Sequence, residues 1–403
     1  MVPKLRFSFT SALSPYKLGV LTKWSSGGTP SKDNKSYWDG DISWFTAASM
    51  KDNVLSVSPT KISDLGLANG SRLANKNDIL LLVRGSMLFN KIPVGVLLND
   101  AAFNQDVKAI KCLEKFNHRF ALQWFLSKES HLLSMVTGTG IGAGKLDTSE
   151  LQSLDVYLPD YEEQSKIVAF LASADEKITL LNKQYDLLCQ YKKGMMQKIF
   201  SQELRFKNDS GYEFPEWEEV ELKKIASKVN TKNRDNSVST VLTNSATQGI
   251  VSQESYFERE IVTESNLTGY YVVRIGDFVY NPRISSTAPV GPIKMNELTQ
   301  GIMSPLYTVF RFEKGLLKFY QYFFESSVWH DYMKSVANSG ARHDRMNISG
   351  ADFFGLPVPQ PFEEEQTKIA RFLSAIDDKI TAKKAELDKL KSWKRGLLQQ
   401  MFV

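Results

Sequence analysis

The chain of 403 residues is poor in cysteine and histidine. It contains two cysteines, Cys112 and Cys189, and four histidines, none of which are paired at metal-ligand spacing. Two cysteines exclude a disulfide scaffold and a cysteine-based zinc cluster, and the scattered histidines argue against a zinc hydrolase. We therefore expect no metal site, and we expect both cysteines to be small buried hydrophobic residues.

Long hydrophobic runs are also absent. The longest aliphatic run is Ile79–Val83, which is too short to cross a bilayer, and the first ten residues lack the apolar core of a signal peptide. The hydrophobic fraction of 42% and the charged fraction of 24% are those of an ordinary globular protein. The sequence predicts a cytoplasmic protein without membrane contact, long enough for two or three domains.

The excess of positive charge is small. The net charge is +5, and it is uneven, at +5 for residues 1–157 and −2 for residues 207–358. This balance permits a polyanionic partner but does not establish one, so any basic surface must be local.

The sequence does contain an internal repeat. Glu162–Phe200 recurs as Glu364–Phe402, at a constant offset of 202 residues and without insertion or deletion. In both copies the apolar residues alternate spacings of four and three, which predicts a long helix packed along another helix. Lys192 and Lys394 interrupt this seam at matching places, as polar residues that set register do. We predict an intramolecular helix pair, with a dimerisation coiled coil or a solvated surface helix as the alternative.

A shorter repeat extends the duplication beyond the helices. Leu5–Phe7 near the amino terminus recurs as Leu204–Phe206, directly after the first helix copy. The predicted order is therefore globular region, helix, globular region, helix. The predicted fold is α+β, with two pseudo-two-fold related α/β domains separated by two long antiparallel coiled-coil helices. The expected boundaries are 1–157 and 204–358 for the domains, and 158–203 and 359–403 for the helices.

The two globular regions share an order of predicted elements, each with a buried strand, then an aromatic helix, then a polar or glycine-rich loop. The pairs, first region before second, are Asn77–Ser86 with Ile275–Tyr280, His118–Ser130 with Gly315–Ser327, and Thr137–Lys145 with Asn338–Asn347.

The glycine-rich loop Thr137–Lys145 has the composition of a nucleotide-binding loop without its spacing. Thr139 stands where a phosphate loop requires glycine, and Leu146 stands where it requires serine or threonine. Ala143 occupies the third glycine position of the dinucleotide pattern. The segment is therefore interpreted as a flexible loop suited to close approach to a ligand.

A catalytic motif is also missing. Asn281-Pro282-Arg283 is similar to the NPPY-type motif of amino-methyltransferases, but Arg283 and Ile284 replace the residues needed to stack a flipped base. The sequence predicts no catalytic residue.

Polar side chains recur at matching points of the two regions. Arg84 and Arg283 both follow the predicted buried strand, and both are followed by hydroxyl side chains. Arginine and lysine, hydroxyls and amides are the groups that contact phosphates and base edges. Their recurrence favours a binding surface over ordinary solvated residues. The candidates are Gly28, Thr29, Ser31, Lys32, Arg84, Ser86, Lys91, Gln105, Thr139, Lys145, Asn244, Gln248, Asn281, Arg283, Ser285, Arg342, His343 and Arg345.

Over nearly its full length the chain resembles the specificity subunit of type I restriction-modification enzymes. The resemblance rests on GGTPS (Gly27–Ser31) followed by YWDG and Trp44, and on NDILLLVRGS. It also rests on LPDYEEQSKI and its echo PFEEEQTKI, on EFPEW (Glu213–Trp217), and on the helix ends GMMQKIF and GLLQQMF. The first region departs from the pattern, with Ser14-Pro15-Tyr16 in place of the FPEW phrase.

The resemblance implies that residues 1–157 and 204–358 are target recognition domains, each reading one half of a split, asymmetric site in double-stranded DNA. The helices would set the spacer. Two methyltransferase subunits, which carry S-adenosylmethionine, and restriction subunits would be the partners, so this chain would hold no cofactor. The helix residues expected to serve partner binding are Gln164, Ile167, Leu171, Ile178, Gln366, Ile369, Leu373 and Ile380.

The residues alone leave two other functions open. A non-enzymatic protein-interaction scaffold with a coiled-coil spacer is favoured by the low charge of the second region. A self-contained methyltransferase would require an S-adenosylmethionine pocket, for which no sequence motif is present.

Overall fold

The computed structural model describes residues 3–7, 12–140, 142–254, 264–338 and 344–402. The chain divides into two compact units. Unit 1 comprises Met1–Asn182 and Ala385–Val403, and unit 2 comprises Lys183–Lys384. Each unit therefore combines one globular region with one half of each long helix.

Unit 1 is built from short strands and helices. Its strands are β1 (Ser14–Lys17), β2 (Thr22–Ser26), β3 (Trp38–Phe45), β4 (Val54–Leu55), β5 (Lys61–Ile62), β6 (Leu73–Ala74), β7 (Ile79–Leu82), β8 (Arg84–Gly85), β9 (Val94–Leu97), β10 (Ala101–Phe103), β11 (Val107–Cys112), β12 (Thr137–Gly138), β13 (Gly144–Lys145) and β14 (Asp155–Leu158). Its helices are α1 (Leu18–Leu21), α2 (Asp64–Gly70), α3 (His118–Ser127), α4 (Glu129–Ser134), α5 (Thr148–Gln152) and the first half of α6 (Tyr161–Phe200).

A five-stranded sheet in the order β2-β11-β7-β9-β4 is the centre of unit 1. All four residues of β7 are buried, because the strand has a neighbour on both sides and lies in the unit's main hydrophobic core. Helix α3 contributes Phe120, Trp124 and Phe125 to that core, as predicted. It begins at His118 because the Asn117 side chain accepts hydrogen bonds from two first-turn N–H groups.

Unit 2 has fewer strands in the described residues. They are β15 (Glu218–Glu221), β16 (Ala226–Lys228), β17 (Leu242–Ser245), β18 (Gly249–Ser252), β19 (Tyr271–Val273), β20 (Phe278–Tyr280), β21 (Ile293–Met295), β22 (Gly301–Met303), β23 (Thr308–Phe312) and β24 (Pro357–Gln360). Its helices are α7 (Leu317–Glu325), α8 (His330–Ser335), α9 (Gly350–Phe354) and the first half of α10 (Glu363–Met401), together with the second half of α6.

The central sheet of unit 2 repeats the topology of unit 1. Its order is β16-β23-β20-β21, which matches β2-β11-β7-β9 strand for strand. Aromatic residues fill its core, with Phe312 stacked on Tyr320 at a centroid distance of 3.8 Å. Phe319 and Phe324 of α7 are buried there, as the sequence predicted.

Helices α6 and α10 are the long helices that the repeat predicts, and in each unit their halves pack antiparallel. In unit 1, as α6 advances from Asp175 to Asn182, the contacting residues of α10 move back from Lys394 to Lys391. In unit 2 the same reversal joins Tyr185 to Lys384 and Lys192 to Asp377. The prediction of an α+β fold with two long antiparallel helices is confirmed.

A buried salt bridge joins each globular region to the start of a long helix. In unit 1 the Arg6 guanidinium is paired with the Glu163 carboxylate, which is 1% exposed. In unit 2 Arg205 pairs with Glu365, the residue 202 positions after Glu163, at 2.8 Å. The Glu365 carboxylate also accepts a hydrogen bond from Trp217 Nε1 at 2.9 Å. The repeated segments Leu5–Phe7 and Leu204–Phe206 therefore have the same structural role in both units.

Candidate nucleic-acid interface

One edge of the central sheet in unit 1 collects the predicted binding residues. The register pairs Ser26 of β2 with Lys108, and Leu82 of β7 with Val107, so β2 and β7 end where β11 begins. Strand β9 also begins there, because Leu81 pairs with Val94. The loops 27–37, 83–93 and 104–106 consequently leave the sheet at a single edge.

The loop after β2 is held at this edge by the backbone. The Gly28 N–H donates to the Phe103 carbonyl at 2.9 Å, and Trp44 Nε1 donates to the Gly28 carbonyl at 3.1 Å. A Cβ atom at Gly27 would lie 2.1 Å from the Phe103 carbonyl oxygen, so only glycine fits this close approach. Thr29 Oγ1 donates to Gln105 Oε1 at 2.6 Å, which brings two predicted residues together. Ser31 and Lys32 are exposed further along this loop, between β2 and β3.

The glycine-rich loop reaches the same edge through a three-stranded sheet in the order β12-β13-β8. Arg84, the first residue of β8, pairs with Lys145 of β13. Both side chains are exposed. Thr139 lies in the turn between β12 and β13, where its hydroxyl donates to the Ala143 carbonyl at 2.9 Å. Ser86 and Lys91 lie between β8 and β9.

Unit 2 forms the equivalent edge. Strand β20 ends at Tyr280 where β23 begins with Thr308 and β21 begins with Ile293. The segment after β20 carries Asn281, Arg283 and Ser285 of the prediction. Burial raises the pKa of Tyr280, whose hydroxyl donates to the Val290 carbonyl at 3.0 Å, so that side chain supports the loop from within.

The pairing of basic residues is also repeated. Arg283 forms an isolated antiparallel bridge with Arg345, and in unit 1 Arg84 pairs antiparallel with Lys145 where β8 meets β13. Both arginines line a cavity of about 330 Å³ at the edge of the sheet. Asn244, Asn281 and Ser285 line it as well, so the structure brings five predicted residues together.

Asn244 forms the buried floor of this cavity. Its Nδ2 donates to the carbonyls of Val279 and Pro292 at 2.7 and 3.1 Å, and its carbonyl accepts from Asn281 Nδ2 at 3.0 Å. These bonds attach the β17–β18 hairpin to the ends of β20 and β21. The Oδ1 atom of Asn244 is buried and has no hydrogen-bond partner among the described residues.

One predicted residue of unit 2 lies elsewhere, and the position of two others is not described. Gln248 is in the turn between β17 and β18 and lines a separate cavity of about 370 Å³. Arg342 and His343 lie outside the described residues. Sequence reasoning missed Tyr307, whose hydroxyl is 3.0 Å from Thr243 Oγ1 at the wall of the 330 Å³ cavity. Tyr307 immediately precedes β23, and this position at the start of a strand is the signal that could have indicated it as a site residue.

The predicted helix residues are mostly buried in the units themselves. Gln164 Nε2 donates to the carbonyls of Lys115 and Pro159 at 2.9 and 3.0 Å, and Gln366 Nε2 donates equivalently to the Pro361 carbonyl at 3.0 Å. Ile178 and Ile380 are half-buried. Contact of the helices with partner subunits stays a prediction. Because most of these side chains are buried, they would support such contact indirectly, by holding the helices in position. The fully buried aliphatic members are Ile167, Leu171, Ile369 and Leu373.

In the described residues no group of three or more histidine, cysteine or acidic side chains is placed to hold a metal ion. No helix within the described ranges has an apolar stretch long enough to span a membrane.

Comparison with known proteins agrees with the duplicated fold. The sequence model of one protein family, the type I restriction modification DNA specificity domain, matches residues 13–189 and again residues 215–392. A specificity subunit of the type I restriction enzyme MjaVIII from Methanocaldococcus jannaschii is 25% identical over 96% of this chain and 91% of its own length. The EcoR124I/EcoR124II specificity subunit of Escherichia coli is 30% identical over 42% of this chain and 45% of its own length.

Two solved structures share the fold. The S subunit of a type I restriction-modification system from M. genitalium matches with a TM-score of 0.55 and 14% identity, covering 100% of this chain and 99% of that one. A chain from a study of complex assembly and conformational transition of the type I restriction-modification system matches with a TM-score of 0.59 and 14% identity, covering 98% of both chains.

The repeated fold, together with the two matches of the family model, defines a duplicated DNA-specificity protein. The chain belongs to the type I restriction modification DNA specificity domain family and contains the family's domain twice. The predictions of a type I specificity subunit, and of a chain whose role is specificity rather than catalysis, are confirmed by this membership.

Proposed function

We propose that this chain reads a split, asymmetric DNA sequence, with residues 1–157 and 204–358 as target recognition domains for its two halves. The observation that carries the proposal is the repeated sheet edge. In both units the same strand order presents a basic pair, Arg84 with Lys145 and Arg283 with Arg345. The surrounding side chains differ, as expected for one scaffold that reads two unlike half-sites.

The proposed contacts divide into two kinds. Exposed cations such as Lys32 and Lys91 would contact phosphates and provide affinity that falls with salt. Amide and guanidinium groups such as Gln105, Asn281 and Arg283 would contact base edges and provide discrimination.

The long helices would set the distance between the half-sites. Helix α6 has 40 residues and so extends about 60 Å at a rise of 1.5 Å per residue. Half-sites one turn of DNA apart require readers about 34–36 Å apart. A helix of this length is sufficient for that separation and leaves surface for partners.

The proposed partners are two methyltransferase subunits, which would bind S-adenosylmethionine and methylate adenine, and restriction subunits joined through them. This chain would hold no cofactor of its own. A complex of this kind is expected in the cytoplasm, where its DNA is.

The test is an exchange of residues 1–157 for the corresponding region of another family member, in the full chain with its methyltransferase partners. The expected result is that one half of the methylated sequence changes and the other half and the spacer do not. Unchanged methylation at both halves would contradict the proposal.

One alternative is a scaffold that binds proteins, which the charge of −2 for residues 207–358 favours. Salt titration of DNA binding separates the two, because release of counterions makes phosphate contacts steeply salt-dependent. A scaffold that binds only proteins would show no such binding.

A further inference from the structure

The basic pair of unit 2 has a carboxylate beside it. Asp344 lies one residue before Arg345, and its Oδ2 is 3.9 Å from the Nε atoms of both Arg283 and Arg345. These distances exceed a hydrogen bond, so the N–H donors of the two guanidinium groups are not committed to this carboxylate. Asp344 is 54% exposed and Arg283 is 69% exposed, so a ligand can reach both.

This arrangement favours a base edge over a phosphate. A phosphate placed between the two arginines would also approach the Asp344 carboxylate, and like charges repel. A base pair offers both acceptors and donors. In the major groove guanine presents the N7 and O6 acceptors, to which arginine binds through two hydrogen bonds, and cytosine presents the N4 amino group, which donates to aspartate.

We infer that the sheet edge of unit 2 reads a G·C base pair, with Arg283 or Arg345 bound to guanine and Asp344 accepting from the cytosine amino group. The inference rests on the proposed function and specifies part of the half-site that unit 2 reads. The cavity of about 330 Å³ beside the two arginines provides the concave surface for the base edge.

Unit 1 lacks this combination for a physical reason. Lys145 pairs with Arg84 as Arg345 pairs with Arg283, so Lys145 corresponds to Arg345. The preceding residue, Gly144, then corresponds to Asp344. A Cβ atom at Gly144 would lie 2.8 Å from Val136 Cγ1, so no carboxylate can be placed there without displacing the neighbouring side chain. Lysine lacks the rigid planar fork with which arginine makes two parallel hydrogen bonds to guanine. The two half-sites therefore differ at this pair of positions.

The test uses the full chain with its methyltransferase partners and a duplex of the sequence it methylates. Each guanine of the unit 2 half-site is replaced in turn by 7-deazaguanine, which lacks only the N7 acceptor. At one guanine the affinity should fall by about 10- to 150-fold, as expected for loss of one of the two hydrogen bonds to a charged arginine. The Arg345→Ala or the Arg283→Ala variant should lose sensitivity to that same replacement, because the donor to N7 is removed. Arg274→Ala changes an exposed arginine on the turn that precedes β20, at the opposite end of that strand, and should keep that sensitivity.

The Asp344→Ala variant tests the carboxylate separately. It should accept an A·T pair at this position more readily and bind unrelated DNA more tightly, because a negative charge is removed beside the two arginines. Far-UV circular dichroism and thermal unfolding of each variant would verify its fold.

Specific, salt-dependent binding that tolerates 7-deazaguanine at every guanine, or a unit 2 half-site without guanine, would overturn the inference and leave the proposed function standing. Complete absence of DNA binding by the assembled complex would overturn both.

Discussion

Lys192 and Asp377 form an ion pair at 2.7 Å in unit 2, and the residues 202 positions removed from them, Lys394 and Asp175, form the same pair in unit 1. Each lysine comes from one long helix and each aspartate from the other. The seam lysines that the repeat singled out are therefore reciprocal, and we interpret them as residues that specify the register of the helix halves within each unit.

The Lys192 pair should contribute measurably to the stability of unit 2. Its Nζ also lies 2.9 Å from the Glu325 carboxylate and 4.9 Å from the centroid of the Tyr322 ring. Burial would lower the pKa of Lys192, but the Glu325 and Asp377 carboxylates outweigh burial and raise it. Lys192→Ala should lower the free energy of unfolding by about 1–3 kcal/mol, measured by urea denaturation. Lys193→Ala, which changes an exposed neighbour, should have little effect; equal losses would contradict this role.

The Glu365 carboxylate should be the most sensitive residue at the start of α10. It is fully buried and accepts from Arg205 Nε and Nη2 and from Trp217 Nε1. Glu365→Gln leaves the guanidinium without its counter-charge and should cost about 2–4 kcal/mol in thermal or urea unfolding. Glu364→Gln changes an exposed side chain next to it and is the matched control. If both variants unfold alike, the buried pair has no special role.

Acidification should destabilise unit 1 through His118. Burial, and secondarily the charge of Arg119, lowers the pKa of His118 below its ordinary value of 6.5. The unfolded chain therefore binds a proton at His118 more readily than the folded chain does. The stability that the folded state retains while His118 is neutral is complete above pH 6.5 and is lost as pH falls through the folded-state pKa. Thermal unfolding between pH 7.5 and 5 should show a decline that His118→Gln reduces. His131→Gln, which changes an exposed histidine, should leave the decline unchanged. A pH profile of His118→Gln identical to that of the parent protein would contradict the expectation.

Arg84 should affect one half-site only. It is exposed at the sheet edge of unit 1, so Arg84→Ala should not alter the fold. If it contacts a phosphate, the salt slope of binding should decrease by about 1. If it contacts a base, discrimination at one position of the first half-site should fall by about 1–3 kcal/mol. Binding to duplexes with single substitutions in each half measures this, and a change in the second half-site would contradict the assignment.

Much of the fold was predictable because the repeat is long and regular. The heptad spacing of residues such as Ile167 and Leu171 predicted both helices. They begin at Tyr161 and Glu363, one residue before the two repeat copies and within the expected ranges 158–203 and 359–403. The buried strand β7 and the aromatic face of α3 were also predictable from their composition. The shared strand order of the two sheets was not predictable, since short strands such as β21 carry too little pattern to indicate their neighbours.

The candidate site was predictable in composition but not in arrangement. Arg283 and Arg345 were singled out as separate residues, 62 positions apart in the sequence. Only the tertiary structure places them in one bridge and adds Asp344 and Tyr307 to their surroundings. Asn244 was selected as a surface contact, whereas its side chain is 3% exposed and holds the hairpin to the sheet. Such roles depend on backbone carbonyls, which leave no trace in a sequence.

The most direct test of the central claim is to map methylated adenines across the genome of a host that carries this chain with its methyltransferase partners. The account predicts one motif in two unlike parts separated by a fixed number of unspecified bases. It also predicts that inserting one heptad into both long helices widens that gap and preserves both parts. A continuous or palindromic motif, or a gap that does not change with the insertion, would contradict it.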